Sequence, residues 1–263
     1  MSARSDAAEL VPATRDALAL LLLSMADDEL VIGWGDSEWT GIAPLLEEDV
    51  AMSSLAQDEL GHAQALYQLL AEVVDDGRDA DRIAYDRPAE GFYHARLLDH
   101  GRGDWAMTMA RRWLYETADE VRLAALATSS FRPLADLIGK IRREERYHRM
   151  HVDAWLERLA TGDGEARARL ATAFEALAPD AATVLGPLPN ELSLVMAGIL
   201  DAPFADLEAA WRAAIGPVLR RLGLAEPAPL DDPMGTRSGH SDAFRWLWGE
   251  MTSVRRLDAE AAW

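Results

Sequence analysis

The chain has 263 residues, a formal net charge of −19 and no cysteine. Without cysteine there is no disulfide, thiolate zinc site, cysteine nucleophile or iron–sulfur cluster held by this chain alone, so redox chemistry needs oxygen and nitrogen ligands and an external electron donor. The acidic balance argues against a nucleic-acid partner, while the arginine pairs Arg111–Arg112, Arg142–Arg143, Arg220–Arg221 and Arg255–Arg256 leave room for an anionic ligand or an acidic partner.

Helical periodicity dominates along the chain, and β-alternation is nearly absent. The first predicted helix runs from about Ala13 to Asp36. Its apolar run from Ala17 to Leu23 is too short to cross a bilayer and follows mixed charges, so it reads as core, and the protein is expected in the cytoplasm with no membrane partner. The second helix runs from about Glu47 to Val74 and ends in the turn-rich DDGRDADRIAYDRP. The third starts after Asp104, a good N-cap, and reaches Ser129 or Ser130; the fourth starts near Pro133 and stops before Thr161-Gly162. Further helices are expected at Asp163–Ala178, Pro203–Leu222 and Asp242–Ala262, the last two separated by the loop AEPAPLDDPMGTRSGHSD. The expectation is one all-α domain over residues 1–263, a four-helix core at about 13–160 with C-terminal helices at about 163–262 packed around it.

Two Glu-x-x-His pairs, Glu59–His62 and Glu145–His148, fall inside apolar stripes: Met52, Leu55, Leu66 and Leu69 on the second helix, Leu134, Ile138, Ile141, Val152 and Trp155 on the fourth. Charged carboxylates on a core face need a partner, and a divalent metal supplies one. Glu and His at i and i+3 share a helix face and can meet one ion. Glu29 on the first helix and Glu116 on the third complete two hairpins of equal logic, with 30 and 29 residues from each lone Glu to its pair. Four carboxylates and two histidines on four helices is the di-iron or di-manganese arrangement, and a ligand set without sulfur favours iron or manganese over structural zinc. Each ligand position also has a plainer reading, as a hydrogen-bonded core histidine or a glutamate paired with Arg111, Arg112 or Arg143. Glu120, one turn past Glu116, competes for the third-helix place. Asp58 and Glu144 are either solvated or accept hydrogen bonds from the outer nitrogens of the histidines across the bundle. His94, His100, His151 and His240 lack partner spacing and read as structural or surface residues.

The segments ADDELVIGWGDSEWTGIAPLLEEDVAMSSLAQDELGHAQ, WLYETADEVRLAAL, IRREERYHRMHVDAWLERLATG and GHSDAFRWLWGEM resemble the ferritin-like subunits of the phenylacetyl-CoA oxygenase (ring 1,2-epoxidase) complex. Length, the WLERLATG ending and Trp263 look like the smaller structural subunit. Glu29, Glu59, His62, Glu116, Glu145 and His148 instead match the iron-ligand positions of the larger catalytic subunit, which departs from the ligand-poor structural one. The resemblance implies two iron ions, with Glu59 and Glu145 bridging, and an aromatic acyl-CoA substrate. It also implies two kinds of partner, an external reductase and a related ferritin-like subunit, in a homodimer or hetero-oligomer. A scaffold role is the alternative function, with Trp246, Trp248 and Trp263 as a docking surface or as core packing. Metal storage or ferroxidase activity is a third reading.

Overall fold

The computed structural model describes residues 3–258, and among these there are eleven α-helices and no β-strand. In chain order they are α1 (Ala3–Ala8), α2 (Pro12–Ser37), α3 (Leu46–Val74), α4 (Ala80–Tyr85), α5 (Trp105–Leu126), α6 (Arg132–Ala160), α7 (Gly164–Leu177), α8 (Glu191–Met196), α9 (Phe204–Leu222), α10 (Asp242–Met251) and α11 (Ser253–Leu257). The four long predicted helices correspond to α2, α3, α5 and α6. The short α1, α4 and α8, and the 3-10 turns around Ala89, Arg96 and Ala181, carry too few residues for periodicity to reveal them. The expected last helix breaks at Thr252 into α10 and α11, and its remainder, 259–262, lies with Trp263 outside the described residues.

Local chemistry sets the helix ends. Pro12 and Pro133 occupy first-turn positions of α2 and α6, where a missing N–H costs nothing. Asp104, Asp163 and Ser241 cap α5, α7 and α10 by accepting from Met107, Ala166 and Phe244 N–H groups. Glu47, Glu48 and Asp49 favour the N-terminal dipole of α3, which lacks a side-chain cap. Gly223, at φ 69°, ends α9 in the left-handed conformation.

α2 packs along α3, and α5 along α6, forming two hairpins that face each other across the core. Gly33 makes the first pairing close: a Cβ there would lie 3.0 Å from Glu59 Cβ and 3.2 Å from Ala56 O. Apolar residues from Leu18 on α2 to Phe244 on α10 form one continuous buried cluster, so the C-terminal helices share the bundle's core. Trp39, Met52, Leu55, Met109 and Trp155 make a second cluster, extended by Trp105, whose ring lies 4.9 Å from that of Trp39 and 5.2 Å from that of Trp155.

The core also holds buried ions. Asp28 on α2 receives Arg122 at 2.6 Å and Arg237 at 2.9 Å, and Arg122 Nε bonds Asp119 at 2.7 Å. Asp27 receives Tyr67, Arg87 and the Tyr93 N–H. Each buried acid is thereby paired and hydrogen-bonded, the condition under which burial is tolerated. No helix among the described residues is long and apolar enough to cross a membrane.

Candidate metal centre

The pattern that puts apolar residues of α3 and α6 inward also puts Glu59, His62, Glu145 and His148 inward, one turn apart within each pair. Glu29 of α2 and Glu116 of α5 meet them, and all six are buried. The ligand atoms form two overlapping groups, Glu29–Glu59–His62–Glu145 and Glu59–Glu116–His148, each with its atoms within 4.8 Å of one another. Glu145 Oε1 stands 3.3 Å from His62 Nδ1 and 3.3 Å from His148 Nδ1. Glu59 turns one oxygen to each histidine, at 3.5 Å and 3.3 Å. These two carboxylates therefore lie between the halves, while Glu29, 3.6 Å from His62 Nδ1, serves one half and Glu116 the other.

The outer nitrogens are tied down across the bundle. His62 Nε2 lies 2.7 Å from Glu144 on α6, and His148 Nε2 lies 3.3 Å from Asp58 on α3. Of the two readings for Asp58 and Glu144, the geometry matches the hydrogen-bonded one. Glu120 points away from the cluster to Arg149, so Glu116 alone represents α5 in it.

Five buried atoms here have no hydrogen-bond partner: Glu29 Oε2, Glu59 Oε2, His62 Nδ1, Glu145 Oε1 and His148 Nδ1. Unpaired buried acceptors are costly. Converging carboxylate oxygens and imidazole nitrogens are a donor set that fits a divalent ion such as iron or manganese. Burial, reinforced by the Glu59 charge, pushes Glu29 well above the usual carboxylate range, and burial with the Glu145 charge does the same to Glu116. Burial opposes ionisation of Glu59 too, but His148 and Arg112 outweigh it and hold its carboxyl well down. Against burial and the Glu59 charge, the two histidines facing its Oε1 at 3.3 Å hold Glu145 at about 2. Burial likewise works against charge on His148, yet Glu59 and Glu145 raise it to about 12, and His62 is raised by Glu145, Glu29 and Glu59. The carboxylates thus favour positive charge at both histidines, and divalent ions would supply that charge on displacing any Nδ1 proton.

Three further neighbours complete this cluster; sequence reasoning offered Arg112 only as one of several possible partners of a glutamate and missed the other two. Arg112, fully buried, donates to Glu59 at 2.7 Å, to Glu116 and to Asp36. The plainer pairing of Arg112 with a glutamate therefore holds for Glu59 and Glu116, and the Arg111–Arg112 pair is core rather than a surface for anions. Asp36 is the second neighbour, and Tyr115, donating to Glu29 at 3.0 Å, is the third. The available signal for Arg112 was its place one turn before Glu116 on the same face. A cavity of about 370 Å³ between α5 and α6 reaches Glu116 and Glu145, and Arg142 and Arg146 stand exposed in its wall.

A second polar cluster joins His94, Asp99 and His240, all buried. Asp99 Oδ1 lies 2.7 Å from His94 Nε2 and 3.2 Å from His240 Nδ1, and the two rings stack at 4.3 Å. It ties the segment before α5 to the one before α10, in keeping with a structural role for both histidines. His100 and His151 likewise pair with Asp180 and Glu48.

A helical bundle with a carboxylate–histidine centre at its middle belongs to the ferritin-like class. Within that class, residues 1–263 match the family model described as "Phenylacetic acid catabolic protein", and the chain belongs to that family. It is 28% identical over 247 residues to one subunit of the 1,2-phenylacetyl-CoA epoxidase of Escherichia coli (strain K12), covering 94% of this chain and 99% of that protein. It is also 26% identical over 253 residues to a second subunit of the same epoxidase from the same organism, covering 90% of this chain and 80% of that relative.

Proposed function

We propose that this chain is an oxygenase component that works in the cytoplasm on an aromatic acyl-CoA, within a complex of the phenylacetyl-CoA epoxidase kind. Two ions, iron before manganese, would be held by Glu29, Glu59, His62, Glu116, Glu145 and His148. The observation that carries this reading is the convergence of five unpartnered buried polar atoms from α2, α3 and α6, with Glu116 of α5 beside them. Bound iron would supply the O₂ activation that ring oxygenation requires. Glu144 and Asp58 fix the tautomers of His62 and His148, holding Nε2–H outward and Nδ1 inward. Tyr115 steadies Glu29 by donating to its Oε1. Apolar packing around the six side chains excludes bulk water, and the cavity at Glu116 and Glu145 is the route for substrate. Arg142 and Arg146 in its wall suit the anionic groups of a CoA thioester in an otherwise acidic protein. Electrons come from an external reductase, and the hetero-oligomer is completed by a related ferritin-like subunit.

The non-catalytic scaffold reading is favoured by a specific pair of observations: the match spans 99% of the first epoxidase relative, and Arg112 supplies an internal cation to the centre. One experiment separates the two. Metal per chain is measured on protein from iron-supplemented cells, beside the Glu59→Ala/His148→Ala double variant, and each is assayed in a reconstituted complex. Iron bound by the wild type and lost together with oxygenase activity in the variant supports the catalytic reading. Activity unchanged in the variant removes it.

A further inference from the structure

The two halves of the centre are not equivalent. Arg112 Nη2 donates at 2.7 Å to Glu59 Oε1, the same oxygen that stands 3.3 Å from His148 Nδ1. It also donates to Glu116 Oε1, the carboxylate that belongs to the His148 half alone. Among the described residues no arginine or lysine donates to the His62 half alone: Glu29 Oε2, Glu59 Oε2 and His62 Nδ1 are without a hydrogen-bond partner, as are the shared Glu145 Oε1 and, in the other half, His148 Nδ1. The guanidinium is fully buried and anchored from behind by Asp36, which Arg111 also approaches at 3.7 Å. Arg111 is in turn fixed by the carbonyls of His100 and Gly101 at 2.7 Å and 2.9 Å. A fixed positive charge thus stands where a second divalent ion would need the same two oxygens.

We propose that Arg112 is a built-in counter-cation for the His148 half, so that the centre loads unequally. The first ion enters the Glu29–His62 half, and the Glu116–His148 half fills only after the guanidinium, held by Asp36, releases Glu59 and Glu116. This rests on the metal-binding reading above and adds an order to it. It also gives Arg112 a positioning role, because in the absence of an ion it holds Glu59 and Glu116 in place.

The test is a manganese(II) titration of chelator-treated, full-length protein, read by the loss of the free-ion electron paramagnetic resonance signal. Wild type is expected to bind a first ion roughly tenfold or more tightly than any second, given one extra positive charge a few ångströms away. His148→Ala keeps the first ion and His62→Ala loses it. Arg112→Gln brings the two affinities to within about threefold of each other, since a neutral donor no longer repels the second ion. Two equal sites in the wild type would overturn the proposal and leave the metal reading standing. So would a first ion that survives His62→Ala but not His148→Ala. No binding by wild type or Arg112→Gln would overturn both. If Arg112→Gln does not fold, the wild-type isotherm and the two histidine variants still decide.

Discussion

Glu144 reaches from α6 to His62 on α3 at 2.7 Å, while Asp58 reaches back from α3 to His148 on α6 at 3.3 Å. Each acid is the residue just before a core-facing glutamate, so one helix supplies a ligand-type carboxylate inward and an orienting carboxylate sideways. Glu144→Gln and Asp58→Asn are expected to weaken metal binding by roughly 10–100-fold with helicity unchanged. The shorter contact predicts the larger loss for Glu144→Gln. Competition against a chelator of known affinity checks this, and unaltered affinity in both variants would refute the orienting role.

Gly33 and Gly35 offer a matched pair. Ala at 33 would press on Glu59 Cβ and the Ala56 carbonyl, whereas Ala at 35 meets nothing within 4 Å. Gly33→Ala is expected to cost about 1–3 kcal/mol and to reduce metal content, because α2 and α3 must separate beside Glu59. Gly35→Ala is expected to be neutral or to stabilise by up to about 1 kcal/mol. Thermal melts with metal analysis of both proteins distinguish the two. Equal melting points would mean that α2 and α3 tolerate separation at this point.

Asp28 neutralised leaves two buried arginines short of charge. Asp28→Asn is therefore expected to destabilise by about 3–5 kcal/mol in urea denaturation. A loss below about 1 kcal/mol would mean that Asp119 and backbone carbonyls satisfy Arg122 and Arg237 unaided.

The Asp99 cluster predicts a pH dependence. Burial opposes charge on Asp99, but hydrogen bonds from His240 and His94 hold its carboxyl well below the ordinary value of 3.8. A carboxylate depressed in the folded state contributes stability above 3.8 that is lost as pH falls below it. His94, buried and depressed from 6.5, loses its contribution as pH falls below 6.5. His240, raised by Asp99 against burial, contributes below 6.5 and loses that as pH rises. The two histidines act on opposite sides of 6.5, His94 weakening the fold below it and His240 above it, and Asp99 adds its own loss below 3.8. Asp99→Asn should cost most between about 3.8 and 6.5, where Asp99 is ionised and His240 protonated, and the gap from wild type should narrow steadily below 3.8. Denaturation midpoints across that range measure it, and a gap independent of pH would exclude Asp99 as the source.

Sequence periodicity was enough for α2, α3, α5 and α6, because each carries an apolar stripe long enough to count turns. The same stripes singled out Glu29, Glu59, His62, Glu116, Glu145 and His148, which the fold brings within reach of one another. Asp27, Asp28 and Asp36 escaped, and Arg112 stood only among three possible partners for a glutamate, since a charged residue in a helix reads as a solvated face until its buried partner is known. His94 and His240 escaped for another reason: they meet only through loops, where no period relates them. Trp246 is 58% exposed, whereas Trp248 is engaged by Arg87 O and Arg256, so the sequence could not tell a surface tryptophan from a packed one.

Arg237 joins Asp28, 209 residues earlier in the chain, and also bonds the carbonyls of Tyr93 and Val184. During synthesis, the first long helix leaves the ribosome before either of the arginines of Asp28, and the tie to Arg237 forms only after α9 has followed. Contacts so distant in sequence close late, after the local hairpins. The nascent bundle must therefore wait for the segment between α9 and α10, and a chain cut short after α9 would carry an under-compensated charge in its middle.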